Sequence, residues 1–434
     1  MNAFADLSRR GLLRDATEGL QEALSGGTPL TAYIGFDPTA PSLHVGSLLP
    51  VLTLVRLQRC GHTPIALVGG GTGLIGDPSG KSKERPLLSL EDAERNVQRL
   101  KEQLSRFLDF EAAGNAALMI DNADWLTRVP LVEFLRDVGK HFTVNYMLAK
   151  DSVQRRAANE DGISYTEFSY MLMQAYDFLM LHDRHRCLLQ AGGSDQWGNI
   201  VAGIELIRRV RGVRAYGFVT PLLTTAAGTK FGKTEAGTVW LDPALTSPYS
   251  FYQFWRNTAD ADVDGYLRFF TMLSDERLAE LAAATAEAPE RREAQRVLAA
   301  EVTSLVHGDQ QARRAARVAE VLFGGEIAEE DWAAEDLLEV LSDAPTVQVP
   351  RALFGGGAAG AAGAAGAPLL ELVRLACASS KAEARRLVEA GAIYVNNRRL
   401  SDPAAVVTVE RAIGGRVILL RKGARSVFML ELVG

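Results

Sequence analysis

The sequence predicts an α/β protein that begins with a parallel sheet of the Rossmann type, continues as an all-helical segment and ends in a small α+β unit. Short apolar, β-branched segments alternate with helical periodicity up to about residue 248. From there to residue 345, Ala, Glu and Arg recur at helical spacing and strand patterns cease. A glycine- and alanine-rich run, FGGGAAGAAGAAGAP, then precedes the last unit.

The first elements follow one another in order. Residues 1–26 are typical of a helix, and 31–36 (TAYIGF) of a short strand. Residues 43–61 predict a helix closed by a C-terminal glycine, and 63–70 (TPIALVGG) predict a buried strand.

The alternation continues further along the chain. Residues 89–108 predict a charged helix, 117–121 (ALMID) a strand and 187–190 another strand, while 129–182 are mostly helical. Strands separated by helices in this order imply a parallel sheet with helices on its faces.

The chain is therefore predicted to have four parts. Residues 1–248 form the sheet domain, 249–345 a helical domain, 346–368 a flexible linker and 369–434 a C-terminal domain. In the last part a basic helix, SSKAEARRLVEAG, leads into the strand patterns IYVNNRRL and RVILLRKG.

Composition limits the class of protein. The chain has 434 residues, is 47% hydrophobic and carries a net charge of -6, so any basic surface must be local. Three scattered cysteines, Cys60, Cys187 and Cys377, show no metal-ligand spacing and favour a reducing cytoplasm. We find no secretory signal and no apolar run long enough to cross a membrane.

Two glycine-rich strings imitate nucleotide motifs. Residues 71–76 read GxGxxG, but the acidic residue expected at the end of a second strand is missing, since that region is a predicted helix. Residues 76–82 (GDPSGKS) have three residues between the first glycine and the GK pair, where a P-loop has four. An NAD-dependent dehydrogenase and a P-loop enzyme are therefore disfavoured.

Two other strings point to a phosphate site. His44-Val45-Gly46-Ser47 begins a helix after the first strand, where free N–H groups and the helix dipole favour anions. Lys230-Phe231-Gly232-Lys233-Thr234 puts two lysines three apart, which suits the charge that develops on leaving pyrophosphate. Each string alone is weak, because a capped helix and a solvated basic turn explain them equally well.

Together, in this order and context, the two strings resemble the HIGH and KMSKS signatures of class I aminoacyl-tRNA synthetases. Four further segments, at 33–40 (YIGFDPTA), 76–81 (GDPSGK), 170–177 (YMLMQAYD) and 192–199 (GGSDQWGN), resemble the bacterial tyrosyl-tRNA synthetase family. The resemblance implies a tyrosine-tRNA ligase with a Rossmann-like catalytic domain, a helical anticodon-side domain and a small α+β RNA-binding domain of the ribosomal-protein type.

The resemblance also implies how tyrosine is held. Asp177 and Tyr33 would bind the substrate phenol. Asp77, Tyr170 and Gln174 would bind the α-ammonium, with Gln196 completing the site. Spacing supports part of this set, because residues 170, 174 and 177 share one helix face amid apolar neighbours.

For catalysis of activation, the resemblance implies seven residues: Thr39, His44, Lys81, Arg85, Lys230, Lys233 and Thr234. For ATP binding it implies a second, overlapping set: Gly35, Asp37, His44, Gly46, Ser47, Gly192, Asp195, Gln196, Lys230, Phe231 and Lys233. ATP, with Mg²⁺, is then a substrate, and no protein-bound structural metal is predicted.

The chain departs from the family at three places. Ser47 stands where histidine or asparagine is usual, and Ile34 replaces a residue that is often polar. The second signature reads KFGKT, with both lysines kept. We expect altered ATP affinity with activity retained.

Positive charge gathers in the C-terminal unit, in residues 381–425. The segment 379–400 resembles an RNA-binding module first described in a small-subunit ribosomal protein, and its candidate RNA contacts are Lys381, Arg385, Arg386, Arg398 and Arg399. Such phosphate contacts give salt-sensitive affinity with little base specificity.

Two alternatives remain open at this stage. A tryptophanyl-tRNA synthetase would share the fold, but Asp177 with Tyr33 argues against it. A non-catalytic RNA-binding relative would predict loss of the signature histidine or lysines, which are present. The resemblance implies L-tyrosine and tRNA(Tyr) as partners and a homodimer whose interface lies between residues 129 and 148.

Overall fold

A computed structural model describes most of the chain. The described residues are 2–79, 89–158, 162–226, 228, 231–234, 237–323, 333–340, 344–355, 366–423 and 426–434. Within them the side chains of 151–152, 233–234, 320–323, 336 and 339–340 are left out. The chain divides into two compact units, Met1–Thr246 with Thr258–Leu298, and Ser247–Asn257 with Ala299–Gly434.

A six-stranded sheet organises the first unit. Its strands are β1 (Asp15–Ala16), β2 (Thr31–Phe36), β3 (Thr63–Val68), β4 (Leu118–Asp121), β5 (Cys187–Gly193) and β6 (Tyr216–Thr220). They lie in the order β1-β6-β5-β2-β3-β4 and are parallel except for the antiparallel edge strand β1. This confirms the predicted parallel sheet. Because β2 pairs with β3 on one side and β5 on the other, the strand order reverses at β2, which opens a crevice at its carboxyl end.

Helices precede and connect these strands. They are α1 (Ala3–Arg9), α2 (Leu20–Ser25), α3 (Leu48–Arg59), α4 (Leu90–Leu104), α5 (Ala123–Leu126), α6 (Leu131–Asp137), α7 (Val144–Leu148), α8 (Asp151–Ala157), α9 (Tyr165–His185) and α10 (Trp197–Arg211). The predicted helix over 1–26 is wrong as a single element. Gly11, just after the end of α1, and Gly19, the N-cap of α2, take left-handed φ angles of 74° and 83° and so separate the two helices on either side of β1.

The core of this unit lies between the sheet and α9 with α10. Tyr33, Phe178 and Leu206 belong to a buried cluster that spans β2, α9 and α10. The helix α9 starts at Ser164, whose side chain accepts from the Glu167 amide, and ends at Arg186 in a left-handed conformation. These two caps fix the register of α9, and with it the face that carries residues 170, 174 and 177.

The remaining elements of the first unit include a short hairpin, β7 (Lys233–Thr234) and β8 (Gly237–Thr238). The described helices of the middle of the chain are α11 (Pro248–Arg256), α12 (Asp260–Phe270), α13 (Asp275–Glu287), α14 (Glu293–His307), α15 (Asp309–Phe323) and α16 (Ala334–Val340). The helical character predicted for 249–345 therefore matches the described elements. The two compact units divide these helices between them, however, so the boundaries of the units differ from the predicted domain boundaries.

The second unit contains the five-stranded sheet β12-β11-β14-β15-β9. Its elements are β9 (Thr346–Pro350), α17 (Ala352–Gly355), β10 (Gly366–Pro368), α18 (Leu369–Cys377), α19 (Lys381–Glu389), β11 (Ile393–Val395), β12 (Arg398–Arg399), β13 (Val406–Thr408), β14 (Val417–Lys422) and β15 (Ser426–Val433). The predicted linker 346–368 is wrong at both ends, because β9 pairs with β15 and β10 pairs with β13. Val349 is fully buried, so alternating valines make β9 part of the core. Residues 356–365 lie outside the described part.

A search of the described residues found no helix with the length and apolarity needed to cross a membrane.

Candidate active site

A cavity of about 360 Å³ opens at the carboxyl ends of the central strands, where the strand order reverses. Its lining brings together residues that are far apart in the sequence. Of the predicted site residues it includes Tyr33, Gly35, Asp37, Thr39, His44, Gly46, Ser47, Asp77, Tyr170, Gln174, Asp177, Gly192, Asp195, Gln196 and Phe231.

For five predicted site residues the structure does not describe the position of the side chain. Lys81, Arg85 and Lys230 lie outside the described residues. Lys233 and Thr234 form β7, but only their backbone is described. Their roles therefore stay predictions.

Tyr33 and Asp177 form the closed end of the cavity. Tyr33 is 1% exposed, lies edge-on to Phe178 at 5.2 Å between ring centroids, and its hydroxyl has no hydrogen-bond partner among the residues that the structure describes. Asp177 is 2% exposed and accepts from Asn122 Nδ2 at 2.9 Å and from Trp125 Nε1 at 2.7 Å. A buried phenol without a partner is costly, so this end of the cavity is prepared for a polar ligand group.

Burial governs the ionisation of this end. It raises the pKa of the Asp177 carboxyl from 3.8 to about 8, an effect that the hydrogen bonds from Asn122 and Trp125 oppose. Burial, reinforced by the charge of Asp177, also raises the pKa of the Tyr33 phenol well above its ordinary value. The phenol is therefore a neutral donor at physiological pH.

A hydrogen-bonded chain leads from the closed end toward the mouth. Asn122 Nδ2 also donates to Thr72 Oγ1 at 2.9 Å, and Thr72 Oγ1 donates to Asp37 Oδ1 at 2.8 Å. The Tyr170 hydroxyl donates to the other oxygen of Asp37 at 2.8 Å. The strand end at Asp37 and the helix α9 are thus held in one network.

A second polar cluster lies beside α9. Gln196 Nε2 donates to Asp77 Oδ2 at 2.6 Å, and Gln174 Nε2 donates to Gln196 Oε1 at 3.2 Å. Asn199 Nδ2 donates to Gln174 Oε1 at 3.0 Å. Carbonyl and carboxylate oxygens converge here, which suits a cationic amine.

The two signature segments meet at backbone level. Val45 N donates to Val239 O at 3.0 Å, and Val239 N donates to Gly232 O at 3.1 Å. A Cβ on Gly232, whose φ is 82°, would lie 2.9 Å from Val45 Cγ2. The glycine at this position therefore permits the close approach.

His44 and Gly46 are packed against each other. A Cβ on Gly46 would lie 2.8 Å from His44 Cε1 and 3.0 Å from His44 Nδ1. Glycine therefore makes room for the imidazole, in addition to any room that it leaves for a nucleotide. By contrast, a Cβ on Gly35 would meet no atom of the described residues within 4 Å.

Aromatic residues of α12 support the second signature. The Phe231 ring stacks on Phe270 at 5.4 Å and meets Tyr266 edge-on at 4.9 Å. Phe231 is 6% exposed, so it anchors the segment next to Lys230 in apolar surroundings.

Sequence reasoning missed several polar lining or supporting residues, namely Thr72, Asn122, Trp125, Gln190 and Asn199. Asn122 directly follows β4, and a polar residue at the carboxyl end of a parallel strand is a signal that was available. Trp125 and Gln190 carried no comparable pattern.

The predicted RNA contacts lie in the second unit and are exposed. Lys381, Arg385 and Arg386 lie on α19, and Arg398 with Arg399 forms β12. Within the described part of the chain, no group of three or more His, Cys, Asp or Glu side chains is arranged to hold a metal ion.

Comparison with known proteins gives two family matches. Residues 25–324 match the family described as tRNA synthetases class I (W and Y), and residues 364–430 match the tyrosine–tRNA ligase SYY-like C-terminal domain. The chain is 55% identical to a tyrosine–tRNA ligase of Roseiflexus castenholzii over 99% of both proteins. It is 51% identical to that of Geobacillus kaustophilus, covering 99% of this chain and 100% of the relative.

Solved structures agree with these matches. A C-terminally truncated mitochondrial tyrosyl-tRNA synthetase of Aspergillus nidulans is 31% identical, with a TM-score of 0.68 over 74% of this chain and 94% of that chain. A tryptophanyl-tRNA synthetase of Encephalitozoon cuniculi, at 13% identity and a TM-score of 0.52 over 72% of this chain and 87% of that chain, shares the fold alone.

Proposed function

The chain belongs to the tyrosine–tRNA ligase family of class I tRNA synthetases, and from this premise we propose that its cavity activates L-tyrosine with ATP for transfer to tRNA(Tyr). The observation that carries the proposal is the closed end of the cavity. There the Tyr33 hydroxyl, for which the described part of the chain supplies no partner, and the buried Asp177 carboxyl offer a donor and an acceptor to a phenol.

Asp177 and Tyr33 select tyrosine by its hydroxyl. Phenylalanine would leave the Tyr33 hydroxyl and one side of Asp177 without partners, and tyrosyl-tRNA synthetases are themselves a standard example of such rejection. Asp77, Tyr170 and Gln174 take the α-ammonium, supported by the oxygens that converge around Gln196. This division of roles follows from the chemistry of each end of the cavity.

The nucleotide occupies the part of the cavity beside β2 and the start of α3. Gly35, Gly46 and Gly192 leave room for adenosine, and Asp37, Ser47, Asp195 and Gln196 offer polar contacts. Thr39 and His44, with Lys230, Lys233 and Thr234, take the outer phosphates. Lys81 and Arg85 add positive charge, and Mg²⁺ arrives with ATP as part of that substrate.

Activation is an in-line displacement. The tyrosine carboxylate oxygen bonds to the α-phosphorus, the bond to the bridging oxygen breaks, and pyrophosphate leaves with that electron pair. In transfer, a hydroxyl oxygen of the 3′-terminal ribose bonds to the tyrosyl carbonyl carbon, and the bond from that carbon to the adenylate's phosphate oxygen breaks. AMP leaves with that electron pair, and the hydroxyl proton passes to the departing phosphate. No side chain needs to act as a nucleophile, because positioning and charge neutralisation lower the barrier.

The helices α6 and α7 support a homodimer. Leu131, Val132 and Leu135 on α6 are 71%, 75% and 45% exposed, and Val144 on α7 is 60% exposed. Apolar side chains grouped this way mark an interaction surface, here for a second copy of the chain. Val132→Glu should reduce the mass in light scattering from two chains to one, whereas Leu90→Glu, 68% exposed on α4, should not.

The C-terminal unit binds the RNA. Lys381, Arg385, Arg386, Arg398 and Arg399 supply exposed positive charge for phosphate contacts.

The reaction takes place in the cytoplasm. The cysteines at 60, 187 and 377 are all free, which suits a reducing compartment.

Amino-acid-dependent pyrophosphate exchange tests the central proposal. We expect exchange with tyrosine and almost none with phenylalanine or tryptophan. Asp177→Ala should remove exchange with tyrosine, while Asp183→Ala, an exposed aspartate later on α9, should not. Exchange with tryptophan alone would make the chain a tryptophan enzyme. Exchange with no amino acid would favour a non-catalytic relative.

A further inference from the structure

One face of the C-terminal sheet carries a row of three side chains on neighbouring strands. Tyr394 on β11 lies opposite Arg399 on β12 and opposite Arg421 on β14. Directly paired residues point to the same side of a sheet, so the three share one face. Ile393 and Val395, which alternate with Tyr394, are buried in the core on the other side.

The described helices cover only part of this face. Val417, Leu419 and Met429 pack there with Val318, Ala334 and Leu337 of α15 and α16. Val427, which is paired with Arg421, packs against the edge of that cluster. From Val427 the row continues through Arg421 and Tyr394 to the edge strand β12, where the side chains are partly or fully exposed.

The Arg421 guanidinium lies over the Tyr394 ring. Its guanidinium carbon lies 3.9 Å from the centre of the Tyr394 ring, and its Nη1 donates to Gly423 O at 2.7 Å. The neighbouring Arg399 donates from Nε to Gly391 O at 2.8 Å. The guanidinium over the ring and that of Arg399, the residue paired with Tyr394 on the next strand, are thus each oriented by a backbone carbonyl, which reduces the entropy lost when a ligand binds.

The turn beside the row is also fixed. Asn396 and Asn397 take left-handed φ angles of 46° and 62°, as a two-residue hairpin turn requires. The side chain of Asn396 is 1% exposed, donates to Arg411 O at 2.6 Å and accepts from Leu419 N at 3.0 Å. The turn therefore anchors β11 and β12 to β14.

We propose that Tyr394 and Arg421 form a stacking platform for an unpaired base of an RNA ligand. Aromatic rings and guanidinium planes are the groups on which proteins stack splayed bases, and positive charge favours a polyanion over a neutral partner. This role differs from phosphate contact by the exposed basic residues, because stacking depends on a planar surface. The inference rests on the proposed RNA binding of the C-terminal unit.

Binding of the full chain to two RNA probes tests the proposal across a range of salt concentrations. The probes are a tRNA(Tyr) transcript and a fully paired RNA duplex of equal length. Tyr394→Leu should weaken transcript binding by about tenfold at every salt concentration, with the slope of log K against log salt unchanged and duplex binding unaffected. Tyr394→Phe should bind like the parent chain. Arg398→Gln should weaken both probes and lower the slope by about one.

Other outcomes would overturn the platform. If Tyr394→Leu binds the transcript as tightly as the parent chain, the platform is wrong. It is also wrong if Tyr394→Leu loses both probes together with a fall in melting temperature, because that result would assign Tyr394 to packing. Binding of an acidic protein in place of either RNA would also contradict it. Tyrosyl-adenylate formation in the same preparations separates this inference from the proposed function, because Tyr394→Leu should leave it unchanged.

Discussion

Asn122 donates from Nδ2 to Asp177 Oδ2 at 2.9 Å and so orients the carboxylate at the closed end of the cavity. The same nitrogen donates to Thr72 Oγ1, and the Oδ1 of Asn122 accepts from Gly71 N at 2.8 Å. Asn122 is 1% exposed, so water does not compete for these bonds. It is therefore a positioning residue for Asp177 and for the loop after β3.

Asn122→Ala should impair tyrosine binding more than ATP binding. Losing a buried donor to Asp177 should raise the KM for tyrosine by about tenfold in pyrophosphate exchange. The KM for ATP should stay within about twofold, since the chain from Asn122 reaches Asp37 only through Thr72. Asn115→Ala is the matched control. The side-chain amide of Asn115 likewise donates two hydrogen bonds within this unit, to the Gln58 and His62 carbonyls, but Asn115 lies outside the cavity lining. Equal effects in the two variants would refute the positioning role.

The pKa of Asp177 predicts a pH dependence of stability. Burial raises that pKa from 3.8 to about 8, so between these values the folded chain keeps a proton that the unfolded chain releases. The free protein should therefore lose stability as pH rises through this window. Asp177→Asn removes the titration, so the difference in urea midpoint, parent minus variant, should fall from about pH 5 to about pH 8. A difference that stays constant would contradict the raised pKa.

Sequence patterns predicted the frame of the site because they are repetitive or ordered. The strand Thr31–Phe36 and the face shared by residues 170, 174 and 177 follow from periodicity, and the two signatures were paired by their order along the chain. Trp125 was missed because a single tryptophan has no period. Asn122 was missed although it directly follows β4, because a polar residue at a strand end does not reveal which side chain it will contact. Their role arises only when β4 and α9 are brought together.

The predicted linker shows another limit of such patterns. Val347 and Val349 alternate with polar residues as an edge strand would, but five residues carry little signal beside a long glycine- and alanine-rich run. The pairing of β9 with β15, which are about eighty residues apart, supplies what local sequence does not.

Arg56 should be essential for the stability of the first unit. It is 3% exposed, pairs with Asp6 at 3.3 Å and donates to Thr271 O at 2.5 Å, and burial lowers its pKa to about 10. Arg56→Met leaves one carboxylate oxygen of the buried Asp6 without its arginine partner and removes a donor from the Thr271 carbonyl, so the free energy of unfolding should fall by about 3 kcal/mol in urea denaturation.

Arg208→Met is the control for this prediction. Arg208 pairs with Glu205 at 2.8 Å, but its side chain is 63% exposed, so water replaces the lost contact. The unfolding midpoint of this variant should match that of the parent chain. A similar loss in both variants would mean that burial does not set the contribution of Arg56.

Two glycines of one cavity wall should respond in opposite ways to alanine. In the free protein a Cβ on Gly35 meets no atom within 4 Å in the part of the chain that the structure describes, whereas a Cβ on Gly46 would lie 2.8 Å from the His44 imidazole. Gly35→Ala should therefore keep the parent melting temperature, yet raise the KM for ATP by about tenfold, because the methyl group fills space left for the nucleotide. Gly46→Ala should displace His44 and lower kcat for adenylate formation while changing the KM for tyrosine little. An unchanged KM for ATP in Gly35→Ala would place the nucleotide elsewhere. An unchanged kcat in Gly46→Ala would show that the position of His44 against this glycine does not matter for catalysis.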